Sequence, residues 1–290
     1  MLKAKHGFSF VVAAVSVLLL VACGDDDSVT PQSSDSETSV SSSSEAKSSS
    51  SSVTPQSSSS EKAESSSSKV TEPAEVTTGT MTDSRDGQTY KTVTIGTQTW
   101  MAQNLNYAYT DVPFKRLDYT SDSTSWCYND DANNCSKYGR FYTWAAAMDS
   151  VGTWSSNGKG CGFGTTCSPT YPVRGICPEG WHLPTKAEFE TLFTAVGGKS
   201  IAGQKLKSAT GWTTKSGITN EDAFALSALP AGNRDDIGNY NFEGYSALFW
   251  SSTENYSGNA YFMYLNYSSD GAYLDYDYKF NGHSVRCLKD

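Results

Sequence analysis

The sequence carries no aromatic residue between Phe10 and Tyr90, although it holds 17 Tyr and 7 Trp in 290 residues. Within that gap, 22 of the 57 residues from 24 to 80 are Ser. Such a stretch cannot bury enough apolar surface to offset the entropy of ordering it. The length alone would fit two domains; the composition instead predicts one, Met81 to Asp290, behind a disordered arm. Basic clusters are missing too. The net charge of −9 divides into +2 over residues 1–22, −7 over 24–80 and −4 over the domain. Phosphate contacts need Lys and Arg, so nucleic acid is not expected as a partner. No apolar run reaches the roughly 20 residues that span a bilayer, which argues against a polytopic membrane protein.

What the N-terminus does contain is Lys3 and Lys5, then 15 mostly apolar residues from Phe8 to Ala22, then Cys23. That pattern fits a secretory leader. Leu20-Val21-Ala22-Cys23 resembles a bacterial lipobox, which implies cleavage before Cys23, diacylation of its thiol and acylation of the freed amine. Two or more acyl chains anchor stably, since each buried methylene contributes about 0.8 kcal/mol. Asp25, Asp26 and Asp27 resemble surface-export signals of outer-membrane lipoproteins; an acidic start to a solvated linker accounts for them equally well. The expectation is a bacterial envelope lipoprotein of the outer membrane: residues 1–22 leader, 23–80 lipidated Cys and tether. Val29-Thr30-Pro31-Gln32-Ser33-Ser34 recurs at Val53–Ser58 with a period of 24. Neither copy has a hydrophobic face, so this is low-complexity duplication. A coil of this length spans on the order of 40 Å.

The domain opens with Asp86-Gly87, a hairpin signal, followed by an alternating strand from Tyr90 to Ile95 and its partner over Thr99-Trp100-Met101. Asp83 and Asp86 could hint at calcium, but a calcium loop gathers six to eight oxygens, so a turn is expected. Two helices are legible. Phe141, Trp144, Ala145 and Met148 make one apolar stripe. Thr185 with Glu188 makes a capping box for the other, Phe189, Leu192, Phe193 and Val196 its stripe, and Gly197-Gly198 its end. A loop-rich stretch from Gly211 to Tyr245 precedes a strand-rich end: Ala247–Ser251, a hairpin of Tyr261–Tyr267 with Ala272–Phe280, and a last strand from His283 to Leu288. In Ala272–Phe280, Ala272, Leu274, Tyr276, Tyr278 and Phe280 are expected on an apolar face, with Tyr273, Asp275, Asp277 and Lys279 on a wet one.

Setting Cys23 aside leaves six Cys, an even number in an exported domain, so disulfides are expected. Fifteen pairings are open. Proximity favours Cys127 with Cys135 and Cys161 with Cys167, leaving Cys177 with Cys287. Zinc is a poor rival, because there is no Cys-x-x-Cys pair and the domain holds only His182 and His283.

Six motifs then appear in order. Gly87–Val93 with Ile95–Asn106 resembles the opening of the Fibrobacter succinogenes major paralogous domain, and Gly139–Met148 its middle. Cys177–Thr185, Leu226–Gly232, Phe249–Glu254 and Ser284–Leu288 match it as well. The resemblance implies an exported lipoprotein of fibre-degrading or related bacteria. A more distant likeness implies the fold. An Ala-rich helix, then Cys177, Gly180, Leu183, Glu188 and Leu192, a long loop region and a final strand bearing Cys287 resemble the C-type-lectin-like layout. There, Cys177–Cys287 would tie the first helical region to the last strand. Leu183-Pro184-Thr185-Lys186-Ala187-Glu188 is similar to an element of the formylglycine-generating-enzyme fold. The expected class is therefore α+β: an antiparallel sheet, two main helices and a long loop region.

No catalytic set assembles. His182 and His283 lack a Ser and carboxylate at sequence level, and no Gly-x-Ser-x-Gly elbow occurs. Asp235-Asp236, Glu221-Asp222 and Asp275 with Asp277 read as solvated charge rather than a glycosidase pair. The motifs of calcium-dependent sugar-binding lectins are absent. No cofactor or metal is expected. What stands out is nine Tyr from Tyr240 to Tyr278, interleaved with Asn and Asp. Flat rings suit sugar C–H groups, and amides and carboxylates suit hydroxyls. The candidate ligand residues are Asn233, Arg234, Asp235, Asp236, Asn239 and Tyr240 in the loop region, with Trp250, Tyr273, Asp275 and Asp277. The expected function is a non-catalytic binding module for polysaccharide or surface glycan, or for adhesion; a protein-binding or structural envelope module is the alternative.

Overall fold

The computed structural model describes residues 76–110 and 124–290. The expectations for the leader, Cys23 and the tether lie outside these residues. No helix among the described residues is long and apolar enough to cross a membrane.

The class is α+β with antiparallel sheets. Strand β1 (Thr77–Thr82) pairs with β2 (Thr89–Ile95), and β2 with β3 (Gln98–Met101). The first strand thus starts four residues before the expected domain boundary. The β1–β2 turn is closed by Asp83, whose N–H donates to the Gln88 carbonyl and whose own carbonyl accepts from Gly87. Its carboxylate is fully buried and engaged by the Arg85 guanidinium at 2.6 Å. Arg85 also donates to the Ile176 carbonyl at 2.8 Å, so a hydrogen bond from the same guanidinium ties the turn to a distant loop.

The expected first helix is shorter than its stripe. Phe141–Tyr142 is a strand, β5, paired with β4 (Ser125–Trp126). Thr143 is extended and caps the Ala146 N–H, so helix α2 spans only Trp144–Ala147. A helix with no apolar stripe, α1 (Ala132–Tyr138), precedes it, capped by Asp131 and tied by the Cys127–Cys135 disulfide. After β6 (Trp181–His182), helix α3 (Lys186–Ala195) begins at the anticipated capping box: Thr185 and Glu188 satisfy each other's backbone N–H. It ends in a Schellman turn, with Gly197 and Gly198 donating to the Thr194 and Phe193 carbonyls. Helix α4 (Lys199–Leu206) follows. Its Gly203 lets the helix backbone touch the chain at Gly271, where a Cβ would lie 2.2 Å from the carbonyl oxygen. The described residues thus hold four α-helices where two main ones were expected.

The short hairpin β7 (Asn233–Arg234) and β8 (Tyr240–Asn241) leads to β9 (Ser246–Tyr256), β10 (Asn259–Asn266) and β11 (Ala272–Tyr278), a meander in the order β11-β10-β9. The last strand, β12 (Leu288–Lys289), is two residues long and lies between β3 and β6 in a five-stranded sheet. The expected strand from His283 does not form one ladder. His283 bridges Tyr142 and Ser284 bridges Phe249 before Leu288 reaches Trp100, because the chain changes partner at each step.

Helices α3 and α4 share one apolar cluster with both sheets, including Val93, Trp100, Phe189, Leu192, Phe249 and Met263. Trp100 and Phe189 stack at 5.4 Å. A second cluster gathers Trp144, Leu183, Trp250 and Val285 around the Cys177–Cys287 disulfide. Cys161–Cys167 completes the three expected pairs.

Candidate functional site

The loop candidates are mostly turned on themselves. Asp235 accepts from the N–H groups of Ile237 and Asn239 and from the side-chain amides of Asn239 and Asn241. Partial burial works to raise its pKa, but these four donors outweigh it and hold the carboxyl below the usual range. Arg234 lies 4.1 Å over the Trp126 ring and 5.8 Å from that of Tyr240, whose hydroxyl donates to Asp130 at 2.5 Å. Asn233 is buried and Asp236 half-buried. Asn233, Arg234, Asp235, Asn239 and Tyr240 thus build the β7–β8 hairpin, with Asn233 buried, Arg234, Asp235 and Tyr240 half-buried and Asn239 exposed.

Trp250 is a correction. It is fully buried, and its indole N–H donates to the Tyr142 carbonyl at 2.8 Å. Alternation along β11 puts Tyr273, Asp275 and Asp277 on one face. Tyr273 is 39% exposed and Asp275 is exposed, but Asp277 accepts from Asn281 and meets His283 Nε2 at 2.9 Å. The expected faces of this strand exchange character at its far end. Lys279 is buried, whereas Tyr276 and Tyr278 are about half exposed.

The concavity that does present rings outward lies where the chain enters β9 and crosses β10. Phe242, Tyr245, Leu248, Tyr264 and Tyr267, with Ser246 and Asn266, line a groove of about 290 Å³. Tyr245 and Tyr267 meet edge to face at 5.0 Å. Phe242 is 59% and Tyr245 44% exposed. Phe242 also has φ of +64°, a left-handed backbone that bulky residues rarely adopt. The conformation is imposed locally: its carbonyl accepts from both Tyr245 and Ser246, and Gly232 leaves room for the neighbouring Asn241 carbonyl, 2.0 Å from where a Cβ would stand. Backbone strain of this kind clusters at functional sites. Tyr264 continues the aromatic surface to Tyr273, 6.3 Å away. Asn266 Oδ1 accepts from the Ser268 N–H and hydroxyl, and its amide donates to the Tyr264 hydroxyl. Tyr245, Tyr264 and Tyr267 belong to the run of nine Tyr, but no groove residue was among the ligand candidates. The run of Tyr pointed to the region, but alternation alone does not say which rings lack a covering layer.

A family model described as the Fibrobacter succinogenes major domain matches residues 93–289. The chain belongs to that family. No curated protein and no solved structure matches it. The match takes in the groove, the three-stranded sheet and all three disulfides of this Fibrobacter major domain, while β1 and most of β2 precede it.

The two histidines of the domain face carboxylates. His182, 6% exposed, sits between Asp290 at 2.7 Å and Glu188 at 3.0 Å. Burial works to lower its pKa, but hydrogen bonds to Glu188 and Asp290 outweigh it and raise the imidazole above its ordinary value. Glu188 is held in turn by the capping box, so His182 buttresses the start of α3. His283 is fully buried, 4.1 Å from the Trp250 ring. In each case the hydrogen bonds go to carboxylates, an arrangement that orients an imidazole without supplying a nucleophile.

Proposed function

We propose that the chain is a bacterial envelope lipoprotein, anchored through Cys23, whose folded part is a lectin-like, non-catalytic module that binds polysaccharide through the aromatic groove. The observation that carries the reading is Phe242, mostly exposed and held in a left-handed backbone at the mouth of a groove floored by Tyr rings. Exposed rings such as Phe242 and Tyr245 offer flat apolar faces on which sugar rings stack. The lectin-like layout draws support from the α+β class, the irregular stretch ahead of β9, and the Cys177–Cys287 bond between the region before α3 and the chain's end.

The test is retention of the purified protein on cellulose, xylan and a glycan array, beside Phe242→Ala and Tyr245→Ala variants. Saturable binding weakened by both changes supports the reading; uniform absence of binding contradicts it. A protein partner is the second reading. It is favoured by β11, an outer strand whose Tyr276 and Tyr278 are about half exposed, since a free strand edge can pair with another chain.

A further inference from the structure

Arg286 is 2% exposed, yet no carboxylate among the described residues lies within 4.0 Å of its guanidinium. Three of its five N–H groups donate to neutral acceptors: Nε to Asn104 Oδ1 at 2.8 Å, Nη1 to the Leu226 carbonyl and Nη2 to the Ser227 carbonyl at 2.9 Å. Burial pushes the group down to about 9, with Asp222 acting the other way, so it is charged at neutral pH. Buried charges are ordinarily paired, because desolvation costs several kcal/mol per ion. This one instead lines a cleft of about 610 Å³.

The rest of the cleft is polar and carries more positive than negative charge. Lys91 and Lys137 stand exposed at its edge, Lys137 also 3.7 Å from the Glu243 carboxylate, and Ser136 and Thr210 add exposed hydroxyls. Its one carboxylate, Asp222, is already committed: Oδ1 accepts from the Ser227 N–H at 2.7 Å and Oδ2 from the Ser227 hydroxyl at 2.6 Å. The segment that presents Ser227 to Arg286 is strained, with φ of +47°, +53° and +53° at Asp222, Ala225 and Ser227. Three non-glycine residues thus stand in the left-handed region within six positions, where a Cβ crowds the following carbonyl oxygen. Such strain persists at ligand clamps.

We infer that this cleft is a binding site for a carboxylate-bearing sugar, with Arg286 as the counter-charge at its floor, Lys91 and Lys137 at its edge, and hydroxyl and amide side chains meeting the sugar hydroxyls. The site rests on its own residues and not on the aromatic groove. The test titrates the full chain, observed by backbone amide NMR, with glucuronate and galacturonate; glucose, galactose and acetate serve as controls. A uronate should bind saturably with shifts at Asn104, Lys137 and Ser227, and weaken as salt rises. Arg286→Lys should lose affinity roughly tenfold or more, the scale of one charge-assisted hydrogen bond. Ser136→Trp, at an exposed helix position, should block binding while leaving the fold intact, and it decides the matter if the Arg286 variant does not fold. Phe242→Ala should leave uronate binding unchanged, which separates this site from the groove. Absence of saturable uronate binding, or equal binding of the neutral sugars or acetate, overturns the inference.

Discussion

Lys279 and Glu254 form an ion pair inside the protein, with side-chain exposures of 0% and 14%. The same ammonium donates to the Gly162 and Thr165 carbonyls, and the other Glu254 oxygen accepts from the Cys167 N–H at 2.9 Å. One pair therefore clamps the Cys161–Cys167 loop onto the edge of the three-stranded sheet. Burial lowers the Lys279 pKa, and Glu254 opposes that shift. Lys279→Met leaves a partly buried carboxylate uncompensated and should cost about 3–5 kcal/mol. The double variant with Glu254→Gln should recover part of the loss. Urea denaturation of the three proteins checks this.

A pH dependence follows from His182. Because its folded pKa is raised, the stabilisation is fully present below the ordinary value of 6.5 and is lost as pH rises through the folded value. Burial acts to raise the Glu188 pKa, but His182 and the Thr185 backbone N–H outweigh it and hold it below 4.5. Its contribution is present above 4.5 and lost as pH falls through the lowered folded value. Stability from this cluster should peak between those two ordinary values. His182→Asn should flatten the decline above pH 6.5 in thermal melts; an unchanged slope contradicts the assignment.

The Cys177–Cys287 bond spans 110 residues of sequence. Closing a loop of that size removes unfolded-state entropy worth about 4–5 kcal/mol. The Cys177→Ala, Cys287→Ala double variant should lose stability on that scale, and more than a Cys127→Ala, Cys135→Ala variant, whose bond spans 8. Denaturant midpoints decide it.

Phe242 should show binding falling without a loss of stability. Gly accepts the left-handed backbone freely, which relieves about 1–2 kcal/mol of strain against about 0.5–1 kcal/mol of added unfolded-state entropy. Phe242→Gly should therefore leave stability equal or slightly higher while weakening polysaccharide binding. Loss of both together would mean that the ring packs inward.

Where local chemistry was decisive, the sequence could be read. Thr185 and Glu188 carry the capping box in their own side chains, and Asp86-Gly87 marks a turn that the backbone makes. The three disulfides followed from spacing and elimination. The misreadings came from tertiary context. Phe141 sits at helical spacing from Trp144, but Thr143 caps between them and Phe141 pairs with Trp126. Helix α1 lacks a stripe because a disulfide holds it instead, and α4 gives the core only Ala202 and Leu206 beside its Gly203 contact, too short a pattern to read. Asp277 and Lys279 belong to the polar half of an alternating strand, yet His283 and Glu254 draw them inside. The loop residues looked like ligands because Asp, Asn and Tyr serve a self-satisfied hairpin as well as they serve a sugar.

The most direct test of the account is the affinity of the purified protein for soluble xylan and cellulose oligosaccharides, compared with Phe242→Ala and Tyr245→Ala. The account predicts saturable binding that falls roughly tenfold or more with each change, with the fold unaltered by circular dichroism. Binding that both variants retain in full, or no binding by the parent protein, contradicts it.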